Sequence, residues 1–174
     1  MQAKILEIES RDIDRWLPGL SDILHASVLD GASVGFIEPF QLRDANRFWQ
    51  ETITPAVTAG DRRLWIATVD DRAVGTAQLA LGMPGNQQHR AEVSKMLVHP
   101  HARRKGIARA LMDALIETAL AENRSLITLD TRTGDPATAL YQSFGFQVAG
   151  EIPFFCRAPN RDALEATTYM YKVL

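Results

Sequence analysis

The segment 98–122 constrains the fold most, because a short basic turn in it joins a strand pattern to the clearest helix pattern of the sequence. The helix pattern starts at Gly106, and its apolar stripe consists of Ile107, Ala108, Leu111, Met112, Leu115 and Ala119. Unpaired N–H groups and the positive end of the helix dipole favour an anion at such a start. The segment therefore predicts a phosphate or pyrophosphate site at Gly106.

The turn itself adds positive charge, since Arg103, Arg104 and Lys105 directly precede Gly106. It contains neither the G-x-x-x-x-G-K-[ST] pattern of a P-loop nor the G-x-G-x-x-G pattern of dinucleotide-binding domains. The turn chemistry alone leaves two interpretations open, an anion site or a solvated basic turn.

Apolar periodicity along the chain gives the order β-α-α-β-β-β-α-β-α-β-β, which predicts a mixed α/β fold. No repeat, low-complexity tract or linker marks a second domain, so residues 1–174 are predicted to form one. Pro18 is expected to kink or split the first helix. The predicted strands are 4–8, 64–69, 73–81, 91–98, 126–130, 146–152 and 167–173, and the predicted helices are 12–29, 40–58, 106–122 and 136–144.

Charge and cysteine content exclude several classes of protein. Nineteen basic and twenty-one acidic residues give a net charge of −2, which opposes general binding to nucleic acid or to an acidic membrane. Cys156 has no disulfide partner, and residues 1–10 lack the apolar stretch of a signal peptide. His99 and His101 have no further ligand cluster beside them, so no metal site is predicted. We expect a cytoplasmic protein.

The pattern Arg103-x-x-Gly106-x-Ala108 fits the R/Q-x-x-G-x-G/A signature, and the chain thereby resembles the GNAT superfamily of acetyl-CoA-dependent N-acetyltransferases. The agreement extends over almost the whole chain, with Asp130 ending the next strand and Tyr141 in the pattern A-L-Y-x-x-x-G-F. The resemblance implies a central, mostly antiparallel sheet with a splayed parallel strand pair and with helices on both faces.

Within the superfamily the chain looks most similar to the tabtoxin-resistance type of acetyltransferase. Four short blocks carry this closer resemblance: 31–36, 90–93, 129–131 and 150–153.

The resemblance also implies acetyl-CoA as co-substrate. Backbone amides of residues 104–109 would hold the pyrophosphate, Met96 and Val98 would pair with the pantetheine arm, and an N–H near Leu97 or Val98 would polarise the thioester carbonyl. The predicted cofactor-binding residues are Met96, Leu97, Val98, Arg103, Arg104, Lys105, Gly106, Ile107, Ala108 and Arg109. Gly134 departs from the pattern, because many members have an asparagine seven residues before the tyrosine.

Acetyl transfer to an amine requires a neutral amine, a polarised carbonyl and a proton for the departing thiolate. Tyr141 is the predicted acid, although a tyrosine at helical spacing also suits core packing. Glu92 and Asp130 are the predicted carboxylates that act on the amine, as a base through water or as a binding anion. Either could instead form a salt bridge with Arg90 or Arg132.

These observations predict an enzyme that acetylates a primary amine of a small molecule, such as an amino-acid-like toxin or antibiotic, by direct attack in a ternary complex. A protein or peptide N-acetyltransferase and a non-catalytic acyl-CoA-binding sensor remain alternatives. By analogy with relatives, the last hairpin could form a homodimer. The acceptor pocket is expected between the first two helices, the loop 31–36 and the final hairpin, with aromatic candidates Phe36, Trp49, Trp65, Phe154 and Phe155.

Overall fold

One seven-stranded sheet runs through residues 3–174, the part of the chain that the computed structural model describes. Its strand order is β1-β2-β3-β4-β5-β7-β6. The pair β4–β5 is parallel, and the other neighbours are antiparallel. The strands are β1 (Lys4–Glu7), β2 (Arg62–Val69), β3 (Arg72–Ala80), β4 (Arg90–Val98), β5 (Leu126–Arg132), β6 (Gln147–Arg157) and β7 (Leu164–Val173).

Helices cover both faces of this sheet and bury an apolar core on each. The helices are α1 (Ile13–Leu29), α2 (Leu42–Arg47), α3 (Thr54–Thr58), α4 (Ile107–Ala121) and α5 (Ala137–Ser143). One core joins α4 and α5 to the sheet and includes Leu111 and Ile127. The other lies under α1 and α2 and includes Leu24, Trp49 and Ile66. This architecture confirms the predicted fold class.

The strand β4 contains a bulge that changes which face its side chains occupy. Thr76 pairs with Leu97 but Gln78 pairs with Ser94, so β4 has one residue more than β3 over this stretch. Lys95 lies in the bulge with a positive φ of 49°. Before the bulge, Ala91 and Val93 pack in the core that lies between the sheet and α4, and after the bulge Met96 and Val98 pack there. Leu97 packs in the core on the other face, under α1.

Pro18 does not split the first helix, because α1 continues through it from Ile13 to Leu29. Proline removes one backbone donor, whose acceptor would be the carbonyl of Asp14. The burial of the apolar side chains that follow, Leu20 and Ile23 among them, offsets the loss of that one bond.

The second predicted helix is divided into α2, a π-helical turn (Phe48–Ile53) and α3. Pro55 cannot donate to the carbonyl of Glu51, and the Thr54 hydroxyl donates to the Trp49 carbonyl at 2.9 Å. Regular α-helical bonding is therefore interrupted here.

The last hairpin is longer than predicted, since β6 continues past Pro153 to Arg157. An edge strand tolerates a proline, and the irregular pairing between Ile152 and Cys156 accommodates it. Among residues 3–174, no helix is both long and apolar enough to cross a membrane.

Candidate active site

A cavity of about 900 Å³ lies where β4 and β5 separate. The two strands pair through Arg90–Glu92 and Leu126–Thr128 only. Beyond this point, residues 93–98 of β4 and 129–132 of β5 line the cavity. The separation of the parallel pair therefore creates an opening through the sheet that an extended ligand can enter.

The start of α4 forms one end of the cavity. Gly106 has a φ of 78°, a left-handed conformation that favours glycine. The first helical bond runs from the N–H of Ala110 to the carbonyl of Gly106, at 3.1 Å. The N–H groups of residues 107–109 precede this bond and have no acceptor within the helix. A Cβ atom on Gly106 would meet nothing within 4 Å, and Gly106 lines the cavity, so the space beside this residue is open.

Arginine side chains surround this helix start. Arg103 pairs with Asp30 at 2.5 Å, and its Nε donates to the carbonyl of Val98 at 3.2 Å. Arg103 and Arg104 both line the cavity. Their positive charge adds to the helix dipole at the same end of the cavity.

Arg109 completes the cavity wall from the first turn of α4. It donates to the Ser143 hydroxyl at 2.9 Å, and its guanidinium lies 4.9 Å from the centre of the Phe144 ring. Lys105 is exposed and does not line the cavity. Unpaired amides, arginine charge and open space together fit the pyrophosphate of a CoA ester.

Tyr141 lines the cavity from α5 and is only 6% exposed. Burial raises the pKa of its phenol, and the negative charges of Asp135 and Asp130 raise it further. The phenol therefore keeps its proton at neutral and mildly alkaline pH and can donate it.

The two predicted carboxylates have different surroundings. Asp130 lines the cavity and accepts a hydrogen bond from the Thr167 hydroxyl at 2.9 Å. Glu92 accepts one from Arg90 at 2.8 Å and does not line the cavity. Asp130 is thus the predicted carboxylate that a ligand in the cavity can reach.

The wall opposite α4 comes from the loop after α1 and from β6. Ser33, Val34 and Gly35 line the cavity together with Phe155 and Cys156. The Ser33 hydroxyl and the Cys156 thiol lie 3.4 Å apart, so loop and strand touch across the cavity.

Of the other aromatic candidates for this wall, Trp49 and Trp65 are buried in the two cores. Phe36 packs against Phe40 and Phe48 at ring-centre distances of 4.7 and 5.2 Å. Phe154 is 74% exposed.

The structure brings the predicted catalytic and cofactor-binding residues together around one cavity, Glu92 and Lys105 excepted. Of the five aromatic candidates only Phe155 lines it, and Gly134, which departs from the expected asparagine, lies outside the lining. Several cavity residues were missed, among them Lys95 and Thr167. A lysine among the alternating apolar residues of β4 is a signal for Lys95, but no local pattern distinguishes Thr167.

A sheet opened at its parallel pair, with a helix start and arginines beside the opening, can accommodate a CoA ester. A model of the GNAT acetyltransferase family matches residues 25–146. The chain belongs to this family.

Similar proteins include N-acetyltransferase 8 of Homo sapiens, 33% identical over 109 residues, which cover 62% of this chain and 48% of that protein. The chain thus spans about half the length of this relative. An uncharacterized N-acetyltransferase of Azospirillum brasilense is 30% identical over 118 residues, covering 67% of this chain and 68% of that one. A phosphinothricin acetyltransferase of Sinorhizobium meliloti, solved with acetyl-CoA, has the same fold. Its TM-score is 0.79 at 20% identity, with 100% of this chain and 89% of that chain covered.

Proposed function

We propose that this enzyme transfers the acetyl group to a primary amine of a small molecule by direct attack in a ternary complex. The observation that carries the proposal is the continuity of the cavity. It extends from the start of α4, through the gap between β4 and β5, to Asp130 and the loop 33–35. Both substrates can therefore occupy it together, and the contact between loop and β6 favours a small acceptor over a polypeptide.

Backbone amides of residues 104–109 would hold the pyrophosphate, and Met96 and Val98 would pair with the pantetheine arm. The bound acetyl-CoA supplies an acetyl thioester. The N–H of Leu97 or Val98 would polarise its carbonyl, because β4 diverges from β5 at this point.

Tyr141 is the proposed acid that protonates the departing thiolate, and its raised pKa keeps the proton available. Asp130 is the proposed carboxylate that binds the amine or takes its proton, directly or through water. Its place in the cavity wall supports this role, whereas the Arg90 ion pair occupies Glu92.

We expect Asp130→Asn to lower kcat/KM for the amine by about 10²-fold, as for the loss of a positioned base. Glu92→Gln should change it by less than about threefold, since Glu92 forms a partly exposed ion pair outside the cavity. Steady-state thiol release measures both variants. A larger loss for Glu92→Gln would assign the role to Glu92 instead, and equal losses would contradict its assignment to Asp130 alone.

The test of the function itself is thiol release from acetyl-CoA in the presence of small amines, amino acids, dipeptides, their carboxamides and a peptide amino terminus. Release that depends on a small amine supports the proposal. Release with the peptide alone would favour a peptide N-acetyltransferase. A protein that acetyl-CoA stabilises against heat, but that releases no thiol with any amine, would be an acyl-CoA-binding sensor.

We also propose that the chain is an acetyltransferase of the tabtoxin-resistance type. Three of its four blocks, 31–36, 90–93 and 129–131, contribute residues to the cavity wall. An amino-acid-like toxin or antibiotic is therefore the proposed class of acceptor, and the amino acids and dipeptides of the panel test it.

We further propose that residues 1–174 form one acetyltransferase domain and that the protein is a homodimer. The exposed side chains of Val148, Ile152 and Phe154 on the edge strand β6 support an apolar contact there. Sedimentation velocity measures the mass, and a monomer at micromolar concentration would contradict the dimer.

A further inference from the structure

Lys95 has an unusual position for a cation, because it lies in the β4 bulge with its ammonium beside two packed aromatic rings. Its Nζ lies 5.6 Å from the centre of the Phe48 ring and 5.9 Å from that of Phe36. The same atom is 4.0 Å from the place that a Cβ atom of Gly35 would take. Since Gly35 and Lys95 both line the cavity, the ammonium faces the proposed acceptor side.

Asp130 is the carboxylate whose charge acts on Lys95, but no ion pair joins the two, and Asp130 accepts a hydrogen bond from the Thr167 hydroxyl. Among residues 3–174 no ion pair or side-chain hydrogen bond engages the Lys95 ammonium. The aromatic rings compensate only part of the cost of burying this charge.

The electrostatics of Lys95 agree with this geometry. Burial lowers the pKa of its ammonium, Arg62 lowers it further, and Asp130 opposes both effects. Arg62 is the other buried cation nearby, but it donates to Gln78 at 2.6 Å and to Ser94 at 2.8 Å. On this side of the cavity, Lys95 is therefore a cation without an ion pair that can receive an anion from a ligand.

On the basis of the proposed function, we propose that Lys95 binds a carboxylate of the acceptor. The acceptor is then a zwitterion, with its amine toward Asp130 and its carboxylate toward Lys95. A single ammonium matches the single charge of a carboxylate, whereas phosphate groups usually take an arginine fork or several donors. A simple amine or polyamine, which carries only positive charge, would be repelled by Lys95.

The test compares acceptors that differ only in this charge. Thiol release is measured with each amino acid or dipeptide of the panel and with its carboxamide, for the wild type and for Lys95→Met and Lys95→Arg. We expect the wild type to prefer the free acid by about 10- to 100-fold in kcat/KM, mainly through KM. Lys95→Met should lose this preference while turning over the carboxamide as before, and Lys95→Arg should retain part of it.

Methionine is a suitable replacement because it keeps the unbranched stem and bears the same backbone strain at a φ of 49°. Lys4→Met is the matched control, since Lys4 is exposed on β1, which is not a neighbour of β4 or β5. This variant should leave the ratio of kcat/KM for the free acid to kcat/KM for the carboxamide unchanged. A wild type without a preference for the acid, or equal losses on both acceptors in Lys95→Met, would overturn the proposal while the proposed function stands.

A second measurement does not depend on turnover. The chain has four lysines, so the NMR spectrum of protein labelled with ¹³C-lysine contains few side-chain signals. The signal that is missing from the spectrum of Lys95→Met is that of Lys95. N-acetylglycine added to the CoA-bound protein should shift the Lys95 signal saturably, and N-acetylglycinamide should not. If no amine releases thiol, the proposed function fails, and this titration still decides the site: no shift, or equal shifts with both probes, overturns it.

Discussion

Replacing Tyr141 with phenylalanine should lower kcat for amine acetylation by about 10²-fold or more, the contribution of a positioned general acid. The phenol lies in the cavity wall and is buried, so no nearby water replaces it as an equally placed donor. The affinity for acetyl-CoA should not change, because phenylalanine fills the same space in the core. Steady-state kinetics and the rise in Tm with acetyl-CoA measure the two effects separately.

The pH dependence of the acetylation rate follows from the raised pKa of Tyr141. Because burial raises the pKa of Tyr141 above its ordinary value of 10.0, the acid form persists throughout an assay range of about pH 7–9. The wild-type rate should therefore rise with pH as the acceptor amine loses its proton, without a fall due to the phenol. Tyr171→Phe is the matched control, since its hydroxyl donates to Gln147 outside the cavity. A Tyr141→Phe enzyme with wild-type kcat would remove the acid from the mechanism.

Replacing Gly106 with valine should weaken acetyl-CoA binding by about 10²-fold, as for the loss of two charge-assisted hydrogen bonds. The side chain would project into the open space beside the first N–H groups of α4, where we place the pyrophosphate. At about 100 times the wild-type Kd, acetyl-CoA should raise the Tm of the wild type by about 5–10 °C and that of the variant by little.

Gly60→Val is the control for Gly106→Val. It separates the exclusion of the ligand by the new side chain from the backbone strain that any residue other than glycine has at this φ. Gly60 has a φ of 79° and nothing within 4 Å of its Cβ position, which matches Gly106, but it lies outside the cavity. Both variants should lose about 1–2 kcal/mol of stability to the left-handed conformation. Only Gly106→Val should lose acetyl-CoA binding. If both bind acetyl-CoA like the wild type, the pyrophosphate does not lie at α4.

The sequence predicted the order of elements and most of the cavity, because these depend on local patterns. The strand before the basic turn, Gly106 and the apolar stripe of α4 are all adjacent in the chain, and the chemistry of a helix start follows from them. The neighbours of Asp130 could not be predicted in the same way. Thr167 reaches Asp130 across the pairing of β5 and β7, which depends on strand order.

The prediction was weakest where local rules compete. A proline was expected to disrupt α1, yet burial on the rest of that helix outweighs one lost bond at Pro18. The turn at Phe48–Ile53 depends on Pro55 and on one threonine hydroxyl, details that apolar periodicity does not detect. The bulge at Lys95 was also missed, although the core-facing apolar residues of β4 change from odd to even positions there.

The β4 bulge divides the strand into two segments that can vary separately. Even-numbered residues before Lys95 face away from α4, and even-numbered residues after it face α4, where we place the pantetheine arm. Substitutions at positions such as Ser94 can therefore alter the acceptor side without changing how the thioester is held. Deleting Lys95 would remove the bulge, and regular alternation would then leave Ser94 and Met96 on the faces that they occupy now. We therefore expect substitutions in the first segment to change the acceptor while the second segment keeps its contacts with the thioester arm.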